Sequence, residues 1–374
     1  MLLLDKLLLR CREMELVKAR GKQRTDATRV LAAIRTLNRL ELVAETLRAT
    51  LNVLATEAPA WLQSVAPHEW YQRYGRRIED DRLPEKPAER DAYGRMVGED
   101  GYYLLDLLET AEAPVGLNEL PAVQTLRQVW QRHFQRKRAD ATGTDQVQFT
   151  PKQELPPAST AIESPYDTDA RFRRRYAFSW TGYMVHFSES CDDDTPHLIT
   201  HVHTTQATVH EVQCTHSIQQ ALVANDLAPA QQLVDSAYVD AELLVQSQTQ
   251  HGITLVGPTR GNPTWQAKTA GGYTPEQFVI DWEKEQVTCP QGKVASYWAE
   301  RVDRHGKPFI TVDFSTRDCH PCPMRALCTR KQSGVRRLKL QPQAQQVALQ
   351  QARLHHASEA CRYRRYILAS RTLF

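Results

Sequence analysis

The sequence has no long hydrophobic run, no strong charge imbalance and no export signal. None of its 374 residues belongs to an apolar stretch of 18, so we predict no membrane span. The 47 Lys and Arg against 44 Asp and Glu leave a net charge of only +3, which does not by itself indicate a polyanionic partner. Asp5 and Lys6 interrupt the leucine-rich N-terminus, and no small-residue cleavage site follows. We therefore expect a cytoplasmic protein whose eight cysteines are thiols.

The composition is that of a folded protein with local basic clusters. With 41% apolar and 8% aromatic residues, the chain can bury a full core and allows two or three domains. Each basic cluster is either a solvated face or a local contact to nucleic acid. The clusters span residues 18–24, 132–138, 171–175, 330–339 and 362–365.

The N-terminal part has the pattern of helices. Apolar residues recur at helical spacing from Val30 to Leu54, and Pro59 ends the run. Residues 139–165 are rich in Pro, Thr and Ala and lack this spacing, so we predict a linker or surface excursion there. The predicted helices span 2–20, 27–56, 68–77, 101–110 and 121–138.

From residue 177 the apolar pattern alternates, which is typical of strands. The segments "GYMVHFSES" and "LITHVHTT" predict a hairpin. Helices over 209–225 and 240–250 then alternate with the short strands "QLVD" and "ITLVGP". This order predicts an α/β fold whose sheet is partly parallel.

Two aspartates lie where an element begins or ends. Asp235 ends the short strand "QLVD", and Asp26 precedes the predicted long helix. A buried charge is costly unless it is paired, hydrogen-bonded or bound to a metal, so each is a helix cap or a ligand. Ligands collect beyond the carboxyl ends of strands in such sheets. Together the two carboxylates predict a Mg²⁺ site for phosphoryl chemistry.

Long blocks of the sequence resemble a known family. They are "RTDATRVLAAIRTLNRLELVAETLR", "WYQRYGRRIEDDRLP", "ESPYDTDARF", "WTGYMVHFSESCDDDTPHLITHVHTTQAT", "LVDSAYVDAELL", "ITLVGPTR", "FVIDWEKEQVTCPQGK" and "DCHPCPMRALCTR". In this order they are similar to bacterial insertion-sequence transposases of the insertion sequence 1182 group.

The resemblance implies a DDE catalytic domain with a ribonuclease-H-like mixed sheet. It also implies metal-dependent cleavage of double-stranded DNA at the element ends and strand transfer, with Mg²⁺ or Mn²⁺ as cofactor. A homodimer on DNA in the bacterial cytoplasm, associated with the nucleoid, is expected on the same ground. Asp26 matches the first family aspartate and Asp235 the second, although Ser236 and Ala237 stand where the family commonly has Ala and Gly.

The third family carboxylate has no match. No Glu follows Glu359, which fits the helix before the family's catalytic Glu. Relatives also extend further at the N-terminus, so we expect a chain truncated at both ends and impaired in catalysis. One alternative is a non-catalytic DNA-binding or transposition-interfering fragment. Another is a stand-alone nuclease that recruits Glu163, Asp167 or Asp169.

The same resemblance divides the chain into five parts. We expect an N-terminal helix, the first catalytic Asp with a helical insertion and linker, the ribonuclease-H-like core, a β-rich insertion with cysteines, and a C-terminal helix. The corresponding ranges are 1–25, 26–160, 161–260, 261–340 and 341–374.

Four of the cysteines are candidates for a second site. Cys289 precedes Cys319, Cys322 and Cys328, and four thiolates could close a structural Zn²⁺ site, with His320 able to replace one of them. The spacing is not that of a standard two-CxxC ribbon, so unmetallated thiols are the alternative.

Histidines concentrate in the predicted hairpin. Alternation places His201 and His203 on one face, with His186 and His197 nearby. They form a polar sheet face or contact phosphates.

Overall fold

The protein is described from a computed structural model that covers residues 3–137, 146–175, 177–259 and 261–355. The helices are α1 Leu3–Glu13, α2 Arg39–Glu57, α3 Pro59–Val65, α4 Glu69–Tyr74, α5 Pro87–Leu108, α6 Pro121–His133, α7 Glu211–Ala224, α8 Ala241–His251, α9 Thr316–Cys319 and α10 Arg325–Cys328. The strands are β1 Lys22–Leu31, β2 Phe134–Lys137, β3 Gln146–Phe149, β4 Arg171–Arg175, β5 Phe178–Ser190, β6 Ile199–Gln206, β7 Gln231–Val234, β8 Thr254–Val256, β9 Val279–Asp281, β10 Gln286–Thr288, β11 Tyr297–Val302, β12 Pro308–Asp313 and β13 Arg337–Leu340. Within these ranges no helix is long and apolar enough to cross a membrane.

A six-stranded mixed sheet is the main β element. Its order is β4-β5-β1-β7-β8, and β6 also pairs with β5. Strands β1, β7 and β8 run parallel, whereas β4 is antiparallel to β5. The prediction of an α/β fold with a partly parallel sheet is confirmed.

Local signals explain the two helices that alternate with the parallel strands. Helix α8 begins where the Asp240 side chain accepts a hydrogen bond from Leu243 N, at 2.8 Å, and it ends at Gly252, whose φ of 61° is left-handed. At the start of α7, His210 N donates to the Gln213 side chain at 3.1 Å. The predicted helices at 209–225 and 240–250 are therefore confirmed with small changes at their ends.

Contacts divide the chain into two compact units. The first lies within 1–27, 186–203 and 210–374, and the second within 28–185 and 204–209. The second unit has a helical core of α2, α5 and α6, in which Trp130 is fully buried. The Trp130 ring lies against Gly101, where an added Cβ would come within 2.1 Å of a ring carbon. Only glycine fits at this helix contact.

Four of the expected helices in the N-terminal part have wrong boundaries. The helix expected over 101–110 begins at Pro87, and the one expected over 121–138 ends at His133, where strand β2 follows. Helix α1 ends at Glu13, and Glu15 follows in the left-handed region with φ 57°. The helix expected over 27–56 begins only at Arg39, because residues 28–31 continue strand β1. Asn38 caps α2 in a capping box with Glu41. The apolar spacing that begins at Val30 predicted an earlier start, so this capping signal was not used.

The expected linker at 139–165 is also partly wrong. Strand β3 lies inside it and pairs antiparallel with β2, so that Val147 is buried. Residues 138–145 lie outside the described residues. Alternation over four residues is too short to distinguish a strand from a loop in the sequence.

The cysteine-containing segment is β-rich, as expected. A three-stranded sheet has the order β11-β12-β13, and β9 pairs with β10. Its core is small, and Cys289, Cys319 and Cys328 pack against it. The core residues are Phe278, Val287, Ile310, Val312, Phe314, Leu338 and Leu340.

His133 is a buried imidazole at the end of α6. Arg39 Nε donates to its Nδ1 at 3.1 Å, and Arg39 Nη2 donates to the carbonyl oxygens of His133 and Thr150. Burial, with the charges of Arg39 and Arg132, lowers the pKa of His133 to about 3. The imidazole is therefore neutral in the folded state.

We predict that His133 makes the second unit sensitive to acid. The unfolded imidazole has a pKa near 6.5, so the unfolded state takes up more protons as the pH falls below that value. Stability is retained above about pH 6.5 and falls by about 2 kcal/mol between pH 7 and pH 5. His133→Asn, which keeps an acceptor near Nδ1, should flatten this dependence in urea titrations. Exposed His68→Gln should leave it intact, and an unchanged slope in His133→Asn would contradict the assignment.

Candidate active site

Asp26 lies within β1, and Asp235 directly follows β7, the parallel strand next to β1. The β1–β7 register pairs Thr25 with Val234 in its last step, and the two aspartates are the next residue of each chain. Neighbouring strands are about 4.8 Å apart. The two carboxylates are thus brought together at the carboxyl end of β7, although 208 positions lie between them in the sequence.

Neither aspartate caps a helix. Asn38 caps α2 and Asp240 caps α8. Asp235 Oδ1 instead accepts a hydrogen bond from Ala237 N at 2.8 Å, and Asp26 Oδ1 accepts one from Ala27 N at 2.8 Å. These backbone donors orient one oxygen of each carboxylate.

A buried polar network lies one residue before the aspartates. Thr25 Oγ1 is 2.8 Å from Ser188 Oγ and accepts a hydrogen bond from Gln232 Nε2 at 2.8 Å. Gln219 Nε2 donates to Gln232 Oε1, also at 2.8 Å. Since a buried polar group left without its partner is costly, this network fixes the β1–β7 register.

Tyr238 connects the aspartates to a buried histidine. Its hydroxyl is 2.6 Å from His186 Nδ1, and both side chains are buried. Burial raises the pKa of Tyr238, and the charges of Asp26, Asp235 and Glu211 raise it further. Tyr238 therefore stays protonated. Sequence reasoning missed Tyr238, because only the fold brings its hydroxyl to His186.

The hairpin histidines form a row. The rings of His186 and His203 are 5.9 Å apart, and those of His203 and His201 are 6.1 Å apart. Burial lowers the pKa of both His201 and His203, which disfavours the charged form that would attract phosphate. These two side chains therefore fit a polar sheet face better, and His197 is exposed.

The acids of the alternative nuclease site have other partners. Tyr183 donates its hydroxyl hydrogen to Asp167 at 2.5 Å, and Gln206 Nε2 donates to Asp169 at 3.2 Å. Burial raises the pKa of Glu163. In the described part of the chain, no three His, Cys, Asp or Glu side chains are arranged to hold a metal ion.

The four candidate zinc ligands line one cavity, although in the described part of the chain no three of them are arranged to hold a metal ion. Cys289, Cys319, Cys322 and Cys328 all face it, together with Arg336. Burial raises the pKa of Cys328 to about 11, and the nearby Arg336 guanidinium opposes this shift.

The remaining groups near these cysteines have separate positions. Lys293 N donates to Cys289 Sγ at 3.4 Å. His320 is exposed. Cys11, Cys191 and Cys214 lie outside the cavity, and Cys361 lies outside the described residues.

The fold and the paired carboxylates are compatible with an α/β transposase, and one comparison supports that class. Residues 288–369 match a family described as transposase DDE domain, which supports a DDE transposase. The match includes the four clustered cysteines but neither Asp26 nor Asp235, and its residues 356–369 lie outside the described residues. No curated protein and no solved structure matches the chain.

We predict that Thr25→Val destabilises the sheet beside the aspartates. The substitution keeps the shape but leaves Gln232 Nε2 and Ser188 Oγ without their shared partner, which should cost about 1–3 kcal/mol. Denaturant unfolding measures the loss. Thr254→Val on β8 is the matched control, since its hydroxyl is exposed and the change should stay within about 0.5 kcal/mol. Equal stability of the two variants would show that the network does not fix the register.

Proposed function

We propose that this is a transposase-derived protein of the insertion sequence 1182 group, whose reaction is metal-dependent DNA strand cleavage and strand transfer. The observation that carries the proposal is the adjacency of Asp26 and Asp235 beyond the β1–β7 ladder. The match of residues 288–369 to a transposase DDE domain supports the same class. The mixed sheet is consistent with a ribonuclease-H-like core.

Asp26 and Asp235 are the proposed ligands of Mg²⁺ or Mn²⁺. Both ions prefer hard oxygen ligands, and Mg²⁺ is commonly held by one or two carboxylates plus water and substrate phosphate. Bound there, the ions would activate the attacking hydroxyl and stabilise the leaving oxygen. The backbone amides of Ala27 and Ala237 hold one oxygen of each carboxylate in place. Tyr238 stays neutral beneath them and adds no charge to the pair.

Catalysis by this chain is proposed to be weak. The family resemblance implies a Glu as the third metal ligand beside the two aspartates. In the described ranges, no third acidic, histidine or cysteine side chain completes a metal-holding group with the aspartates. A loss of about 4 kcal/mol of transition-state stabilisation already slows a reaction about a thousandfold. The second candidate, a non-catalytic DNA-binding or transposition-interfering protein, rests on the same observation.

The proposed partner is double-stranded DNA carrying the element ends, bound by a homodimer in association with the nucleoid. Binding to DNA without cleavage is common to both candidates, so cleavage and its dependence on the end sequence distinguish them.

We predict that Mn²⁺ binding depends on both aspartates. Isothermal titration should detect Mn²⁺ bound to the unaltered chain and a loss of at least about tenfold in affinity in Asp26→Asn and in Asp235→Asn, since each removes one charged ligand. The control is Asp226→Asn, an exposed aspartate with φ 53°, which asparagine tolerates. Unchanged affinity in both ligand variants would refute the proposed site without any need for catalysis.

Nicking of plasmid DNA tests the reaction itself. Slow Mg²⁺-dependent nicking that Asp235→Asn abolishes, and that requires terminal repeats, supports the transposase. Nicking without terminal repeats supports a nuclease, and binding without nicking supports the non-catalytic candidate.

We also propose a structural Zn²⁺ held by Cys289, Cys319, Cys322 and Cys328. The support is that all four thiols line one cavity beside a core too small to be strongly stable by itself. The charge of Arg336 opposes the rise in the pKa of Cys328 that burial causes, and this opposing effect favours the thiolate of Cys328.

We predict that removing zinc from the protein lowers its stability. Protein purified without chelator should release about one Zn²⁺ per chain on thiol modification, and chelation should lower the melting temperature by several degrees. Cys322→Ser should abolish both effects, whereas Cys11→Ser should preserve them. Metal-free protein with an unchanged melting temperature would identify the four as ordinary thiols.

A further inference from the structure

An exposed phenylalanine lies among arginines at the end of the β4–β5 hairpin. Phe178 is 62% exposed, and the register places Arg175 directly opposite it. Directly opposite residues on antiparallel strands have Cβ atoms about 5 Å apart. A large apolar side chain with this exposure is not explained by the packing of the second unit.

Two further arginines complete this surface. The Arg29 guanidinium lies 4.9 Å from the ring centroid of Phe178 and 5.9 Å from that of Trp180. Arg173, opposite Trp180, lies 5.9 Å from the same indole ring. We call Arg29, Arg173, Arg175, Phe178 and Trp180 the Arg–Phe patch.

The Arg–Phe patch has a hydrogen-bonded part, formed by Trp180 and Arg173, and an exposed part. Trp180 is buried and donates its indole N–H to Tyr183 O at 3.3 Å. Arg173 Nη1 donates to Ala207 O at 2.9 Å and to Val209 O at 3.2 Å. Arg29, Arg175 and Phe178 are exposed above them.

The surrounding sequence is strongly basic. Residues 171–185 contain four arginines and no acidic residue, and residues 27–40 contain three arginines and no acidic residue. The local charge therefore differs from the net +3 of the whole chain and favours an anionic partner.

We propose that the Arg–Phe patch binds a single-stranded segment of DNA, with a base stacked on Phe178 and phosphates paired with Arg29 and Arg175. Aromatic side chains on a basic surface are how proteins bind unpaired strands, because every base offers a π-face while the arginines follow the phosphates. Paired bases in a duplex are stacked on each other and leave Phe178 without a partner. The inference rests on the proposed action on DNA but not on the metal site.

Fluorescence anisotropy with a labelled 20-nucleotide strand, and with its duplex, tests the patch. Measurements in EDTA keep binding separate from cleavage, so a failure of the metal site leaves this result readable. The single strand should bind more tightly than the duplex. Phe178→Ala should weaken single-strand binding by about five- to a hundredfold, and Phe178→Trp should restore it.

The salt dependence of binding measures the contribution of Arg175. Arg175→Ala should reduce the slope of log affinity against log salt by about 0.7 on the single strand, the value for one phosphate contact. Tyr71→Ala and Arg95→Ala, on exposed faces of α4 and α5, are the matched controls and should change neither quantity.

The outcomes separate clearly. Tighter binding to the single strand with the Phe178 and Arg175 effects above supports the patch. The proposal would be overturned by preferential binding to the duplex, by equal affinity in Phe178→Ala, or by no binding to either DNA. Circular dichroism of each variant checks that the fold is kept.

Discussion

The pairing of β1 with β7 is the interaction on which the candidate site depends. The ladder ends at Thr25 and Val234, so a shift of one residue would move Asp26 and Asp235 to opposite faces or out of alignment. The buried hydroxyl and amide groups of Thr25, Ser188 and Gln232 make such a shift costly, because each would lose its partner. The buried polar residues of β1 and β7 therefore hold the register that places two carboxylates, distant in sequence, next to each other.

Charge is distributed to match the proposed roles. In the first unit the charges of Asp26, Asp235 and Glu211 all act on the buried, neutral Tyr238, so its surroundings are negative and favour cations. In the second unit the Arg–Phe patch is positive and favours a polyanion. The cysteine segment adds a third chemistry, since its thiols line a cavity with Arg336 beside a small core. Each role follows from local surroundings rather than from the net charge of the chain.

Much of the α/β core could be predicted from the sequence, because its signals are local. The alternation around Met184 and the strand "QLVD" before Asp235 predicted the right elements. The same reasoning failed at residues 28–38, where apolar spacing indicated a helix and strand pairing overrode it. Asp26 was expected just before a long helix, whereas it lies within a ten-residue strand. Tyr238 and the Phe178 surface required the fold, since His186 and Arg29, which contact them, are distant in sequence.

The central claim is that Asp26 and Asp235 share divalent ions, and affinity cleavage tests it most directly. Fe²⁺ bound in place of Mg²⁺ reduces added hydrogen peroxide to hydroxide and a hydroxyl radical, with ascorbate returning Fe³⁺ to Fe²⁺. The radicals cut the nearby backbone, so peptide mapping reports which segments surround the ion. The account predicts cuts close to both Asp26 and Asp235, with both sets lost together in Asp26→Asn and in Asp235→Asn. Cuts near only one of the two aspartates, or cuts that persist in either variant, would contradict it.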